Sequence, residues 1–111
     1  MIARLWRGWA PASTADTYER HATGAVFPSL GRLTGHRGAW LLRRETGDRT
    51  EFIAMTLWDS LGSIKAFAGD DISTAIVEPE GRAALSSFDD FATHYEIVLR
   101  TGVIPGAARN L

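Results

Sequence analysis

Residues 2–9 alternate bulky positions with small or charged ones and stop at Pro11. That predicts a first β-strand, because successive strand side chains face opposite ways and proline cannot extend the ladder. The spacing then turns helical: Tyr18, Ala22, Ala25, Val26 and Leu33 recur at roughly helical intervals, with Ser13 and Thr14 as expected N-caps and Asp16 expected in the first turn. Pro28 lacks an amide hydrogen, which predicts a kink near Gly24 or a second short helix starting at Pro28. After Gly35, residues 38–44 and 51–58 flank Thr46-Gly47-Asp48 and read as two strands of a hairpin. Asp59 or Ser60 is placed to cap the next helix, where Leu61, Ile64, Phe67 and Ala68 share a face before Gly69 ends it. Ala75, Ile76, Ala84 and Leu85 are helically spaced with Pro79 between them, predicting two short helices over 72–87. A last strand is expected over 91–100, followed by Gly102 and Pro105 as breakers.

The order strand, helix, strand, strand, helices, strand is that of a ferredoxin-like βαββαβ domain, α+β in class, with a four-stranded antiparallel sheet. The domain is expected over residues 1–101, with 102–111 as a C-terminal tail. The strands carry a second message. In strand three Ile53, Met55 and Leu57 alternate with Phe52, Ala54 and Trp58, and in strand two Trp40 and Leu42 alternate with Ala39 and Leu41, so both faces ask for burial. One set of helices covers one face of an open sheet. The expected cover for the other is a second copy of the chain, sheet against sheet, in a homodimeric α/β barrel.

Composition narrows the chemistry. The chain has 111 residues, 45% hydrophobic and 23% charged, with a net charge of −1. It is therefore sized and composed for one globular domain, without the basic excess of a nucleic-acid binder. It contains no cysteine, which removes disulfides, thiolate nucleophiles and Cys-ligated metal. Two arginines within the first seven residues interrupt any signal sequence, and no stretch reaches the ~20 apolar residues of a membrane span. The expected partners exclude nucleic acid and membrane, and the expected location is cytoplasmic.

The run from Phe52 through Trp58-Asp59-Ser60-Leu61 to Ile64-Lys65-Ala66-Phe67, the strand around Gly38-Ala39-Trp40-Leu41-Leu42, and His94-Tyr95-Glu96-Ile97-Val98 together resemble the antibiotic biosynthesis monooxygenase-like family of dimeric α/β barrels. The resemblance spans roughly residues 2–99. It implies the dimeric barrel fold, and a superfamily of cofactor-free monooxygenases acting on aromatic ketones and phenols, haem-degrading enzymes, isomerases and members without known activity. Its haem-degrading branch implies a stacking Trp where Phe67 stands here, an axial His in the following helical stretch, and an Asn in the first strand. Residues 59–90 hold no His and residues 2–9 no Asn.

A cofactor-independent monooxygenase is accordingly the function expected, with no cofactor and no metal, acting on a small apolar or aromatic molecule. The catalytic candidates are His21, on or beside the apolar stripe of the first helix, and His94, in the last strand on the same side as Glu96. His36 beside Gly35 reads as a solvated loop residue. Tyr18 and Phe67, from helices that roof the sheet, and Trp58, at a strand end, are the expected substrate contacts. Each also has a structural reading: boundary histidine, dimer contact, core aromatic. Arg43 and Arg44 are expected to pair with Glu45, Glu51 or Asp48. Two other functions fit the same residues. A non-catalytic homodimeric binding protein for an apolar ligand would need no titrating group, and an isomerase or cyclase would need an acid and base but no oxygen.

Overall fold

The computed structural model describes residues 1–102, so the expected tail lies, from residue 103 on, outside the described residues. Strand β1 (Ile2–Pro11) leads into α1 (Ala12–His21), a π-wound turn (Ala22–Val26) and α2 (Phe27–Leu30). Strands β2 (His36–Thr46) and β3 (Arg49–Trp58) form the hairpin, followed by α3 (Leu61–Ala68), α4 (Pro79–Ala84), β4 (Ser87–Phe88) and β5 (Thr93–Glu96). The sheet runs β2-β3-β1, all antiparallel, with β4 and β5 sharing the free edge of β1. This is the expected ferredoxin-like α+β arrangement.

The local differences have local causes. Helix α1 starts at Ala12, with Pro11 in the N-cap position and no side-chain cap. The Ala12 amide donates instead to the Asp48 carbonyl in the hairpin loop, at 3.2 Å. Thr14 is thereby free to donate to the Ala84 carbonyl at 2.7 Å, tying α1 to α4. Asp16 falls beyond the first turn and accepts from Arg43 at 2.8 Å. The change near Pro28 is met by the π turn, with the proline at the start of α2, where a missing amide hydrogen costs nothing. Ser60, rather than Asp59, caps α3 in a reciprocal capping box with Ser63.

Residues 72–78 are not helical, correcting the expectation of two helices over 72–87. Asp71 accepts from the amide and hydroxyl of Ser73 and the hydroxyl of Thr74, holding the backbone in a turn. The last strand, expected over 91–100, is confined to β5, and a short β4 that was not expected precedes it. Between β4 and β5, residues 90–92 leave β1 to bond the 72–78 segment: Ala75 N donates to Asp90 O at 2.9 Å, and Ala92 N to Ser73 O at 2.8 Å.

Ile2, Arg4, Trp6, Gly8 and Ala10 of β1 stand opposite Trp58, Thr56, Ala54, Phe52 and Thr50 of β3, and together they form the face under the helices. The core there has two clusters. One gathers Ala10, Ala15, Tyr18, Ala22, Phe52, Ala84 and Leu85. The other gathers Leu30, Trp58, Ile64 and Ala68. The opposite face carries Leu5, Trp40, Leu42, Ile53, Met55 and Tyr95, with Leu42 49% and Tyr95 55% exposed. No described helix is long and apolar enough to cross a membrane.

Candidate active site

A cavity opens between the two core clusters. Its floor is Arg4, Trp6, Ala54 and Thr56 of the sheet, and its walls are Tyr18, His21 and Ala22 from α1 and the π turn, Phe27 and Leu30 from α2, and Phe67 from α3. Ala75, Ile76, Val77 and Glu78 roof it. Its free volume is about 60 Å³. That is space for a few waters, well below the ~300 Å³ at which small-molecule pockets begin.

Tyr18 packs its ring 4.9 Å from that of Phe52, and burial pushes its phenol up to about 12. It is therefore protonated at neutral pH and can act as a hydrogen-bond donor rather than a base. His21 follows one turn later, its ring 6.5 Å from that of Tyr18, and α4 presses against it where Gly81 leaves room. The carboxylates of Glu78 and Glu80, at the start of α4, join the His21 imidazole with donor atoms within 4.8 Å of one another. These three groups are of the type that holds a divalent cation or partners a proton-transfer base. His21 lies on the first helix and the two glutamates on the last, so the cluster is made by folding and leaves no local motif in the sequence.

The other end is built around Arg4. The residue is buried, 5% exposed, and its guanidinium lies 5.6 Å from the centre of the Phe67 ring. It donates to the carbonyls of Ile72 and of Thr74, the latter at 3.1 Å, and lies 2.8 Å from His94 Nε2. Burial, with the Arg4 charge added, lowers the His94 pKa, so the ring is neutral and Nε2 accepts from Arg4. Sequence reasoning missed Arg4, although Ile2, Trp6, Gly8 and Ala10 around it mark an arginine on an apolar stripe.

Of the expected site residues, Tyr18, His21 and Phe67 line the cavity. His94 touches it only through Arg4. Trp58 stands outside, fully buried, with its indole N–H on Thr56 Oγ1 at 2.8 Å and its ring stacked 6.3 Å from Phe67. His36 is not solvated as expected. It begins β2, half-buried, edge-on to Trp58 at 5.1 Å, with a buried Nε2 that has no partner among the described residues. Burial lowers its pKa. Arg43 pairs with Asp16, Glu19 and Glu45, and Arg44 with Glu51.

No protein-family model and no curated protein matches the sequence. Solved structures do match the fold. MhuD, a haem-degrader from Mycobacterium tuberculosis solved with two haems in its active site, aligns at TM-score 0.63 and 19% identity, over 92% of this chain and 100% of that one. A Bacillus cereus protein described as a candidate antibiotic biosynthesis monooxygenase aligns at 0.63 and 12% identity, over 93% and 96%. SnoaB, a cofactor-independent oxygenase from Streptomyces nogalater, aligns at 0.52 and 14%, over 92% and 96%. The chain thus has the ferredoxin-like α+β fold of antibiotic biosynthesis monooxygenase-like proteins. At these identities the likeness is one of fold, and the chemistry has to be read from the cavity.

In its closed form the cavity admits neither haem nor a smaller aromatic ring, and haem would demand much the larger opening. The porphyrin needs several times the space found, and Arg4 and Trp6 fill the sheet side.

Proposed function

We propose that the cavity binds a small aromatic or polyketide-like molecule and that the chain acts on it as a cofactor-independent monooxygenase, with His21 as the base. The observation that carries this reading is the position of His21. Among the described residues it is the one imidazole lining an otherwise largely apolar cavity, between Tyr18 and the carboxylates of Glu78 and Glu80. Aromatic groups suit an aromatic guest. Two nearby carboxylates attract the imidazolium that proton abstraction creates.

The chemistry needs no electron carrier when the substrate supplies the electrons. His21 removes a proton from an activated methylene group. The carbanion reduces dioxygen and takes up one oxygen atom as a carbonyl, while the other oxygen leaves as water with the two hydrogens of the methylene. One methylene and one dioxygen thus give one ketone and one water. Tyr18, kept protonated by its surroundings, donates a hydrogen bond to a substrate oxygen. An aromatic guest requires the 75–78 segment to move outward, which must break the bond from the Ala75 amide to the Asp90 carbonyl at the sheet edge. Leu42, Tyr95 and the half-buried Trp40, Ile53 and Met55 on the opposite face support the homodimer, in which this sheet face meets its copy.

Oxygen uptake with an anthrone as substrate tests the assignment. His21→Ala should lower turnover by about 10²-fold or more, the usual worth of a general base, with the fold intact by circular dichroism. Full turnover in that variant removes His21 as the base.

A further inference from the structure

Among the described residues, the arginine side chains other than that of Arg4 are neutralised or solvated. Arg7, Arg37, Arg43 and Arg44 each meet a carboxylate at 2.6–3.9 Å, and each is partly or largely exposed. Arg4 is the exception. It alone among the described arginines is buried, and no carboxylate of the described residues lies within salt-bridge distance of it. Its neighbours are two peptide carbonyls, a neutral imidazole and the Phe67 ring. Those groups disperse a positive charge without cancelling it, and a buried charge is ordinarily paired.

The hydrogen-bond inventory leaves two of the five guanidinium hydrogens available. Nη1 gives its two hydrogens to Ile72 O and His94 Nε2, and Nη2 gives one to Thr74 O. One Nη2 hydrogen and the Nε hydrogen have no acceptor among the described residues. The same Nε and Nη2 pair, on Arg37, forks onto the carboxylate of Asp59 at 2.6 and 2.7 Å. The other charged group lining the cavity, Glu78, lies with His21 beside α4.

We propose that Arg4 is an anion-binding residue of the cavity, and that the molecule bound there is an aromatic acid whose carboxylate is received on the Nε and Nη2 edge, with its ring against Phe67 and Trp6. This rests on the reading of the cavity as an aromatic-binding site, and it narrows the substrate class from aromatic to aromatic and anionic. His94 is a positioning residue. By accepting from Nη1 it fixes the plane of the guanidinium and leaves the other edge for the ligand. The carboxylate end of the ligand lies towards Arg4, so the carbon to be oxidised points towards His21.

Calorimetry with 2-naphthoate and its uncharged isostere 2-naphthamide separates the possibilities, using wild type, Arg4→Gln and Arg4→Lys. In wild type the acid should bind about tenfold or more tightly than the amide, because a charge-assisted fork replaces a neutral contact. Arg4→Gln should bring the two to similar affinity. Arg4→Lys, which keeps the charge but loses the fork, should retain part of the preference. Equal binding of acid and amide by wild type overturns the proposal while leaving an aromatic site standing. A preference for the acid that survives in folded Arg4→Gln also overturns it, since the anion would then sit elsewhere. If neither compound binds, the aromatic-site reading falls, and this inference with it. If both Arg4 variants fail to fold, equal binding by wild type still overturns the proposal, and a wild-type preference for the acid supports it only if it weakens in His94→Ala, which frees the guanidinium that His94 Nε2 holds.

Discussion

Replacing Gly35 by alanine is a sharp test of how the cavity wall is held. Gly35 links α2 to β2 with φ near +89°, where a side chain is disfavoured by about 1–2 kcal/mol. A Cβ there would lie 2.5 Å from Ser63 Cβ and 3.0 Å from Ser63 Oγ, far inside contact distance. Ser63 cannot yield freely, because it closes the capping box with Ser60 at the start of α3. Disturbing that box costs about 1 kcal/mol more, and alanine returns roughly 0.4–1 kcal/mol by stiffening the unfolded chain. The net loss should be about 2 kcal/mol, a fall in Tm of roughly 8 °C for a chain of this length. Gly24→Ala is the internal control. Its Cβ would meet nothing within 4 Å and its φ is not left-handed, so it should raise stability by about 0.5–1 kcal/mol. Thermal melts followed by circular dichroism read both. A Gly35→Ala protein melting within a degree or two of wild type, or a Gly24→Ala protein destabilised as much, would refute the account of how α3 and Phe67 are positioned.

Acidification should destabilise the protein in two windows. His36 and His94 have lowered pKa values in the folded state, so the unfolded chain takes up protons first. Their contribution is complete above the ordinary histidine value of about 6.5 and is lost as pH falls through it. Asp16, Glu45, Asp59 and Asp71 are also held low, each by hydrogen bonds, and act only below about pH 4. Urea midpoints between roughly pH 7.5 and 5.5 should therefore decline, less so in His94→Gln, and a flat profile would contradict the burial of both rings. In sedimentation the wild type should run at twice 12.1 kDa and Leu42→Arg should shift towards monomer, whereas a wild-type monomer at micromolar concentration would remove the dimer.

The sheet was legible because strand alternation is local. Phe52, Ala54 and Trp58 fall on the helix side and Ile53, Met55 and Leu57 opposite, as their period of two requires, and the two-residue Gly47-Asp48 turn fixes the hairpin register. The segment after Gly69 was less legible. Its Ala75 and Ile76 have helical spacing with Ala84 and Leu85, but Asp71 captures the backbone of Ser73, and the edge at residues 90–92 offers better hydrogen-bond partners than a short helix would. Helix α1 similarly took its first hydrogen bond from Asp48, a residue no local pattern could assign. At the site, His21, Tyr18 and Phe67 were visible from helical spacing. Arg4 was not, since whether an arginine on an apolar stripe is buried depends on Ile72, Thr74 and His94, which lie at the far end of the chain.

The gap between β4 and β5 has a kinetic consequence. Because residues 90–92 leave β1 and bond residues 73–75, the roof of the cavity is fastened to the sheet's edge by the amides of Ala75 and Ala92 and, through Arg4, to β1. Opening the roof must release these bonds together, whereas the amides of Leu57 or Ala54 deep in β3 need not open at all. Amide hydrogen exchange should therefore show Ala75 and Ala92 exchanging at a common rate, faster than β3 and slowed by a bound ligand. The sheet edge and the cavity would then breathe as one unit, so a change at that edge would alter how fast substrate enters and leaves.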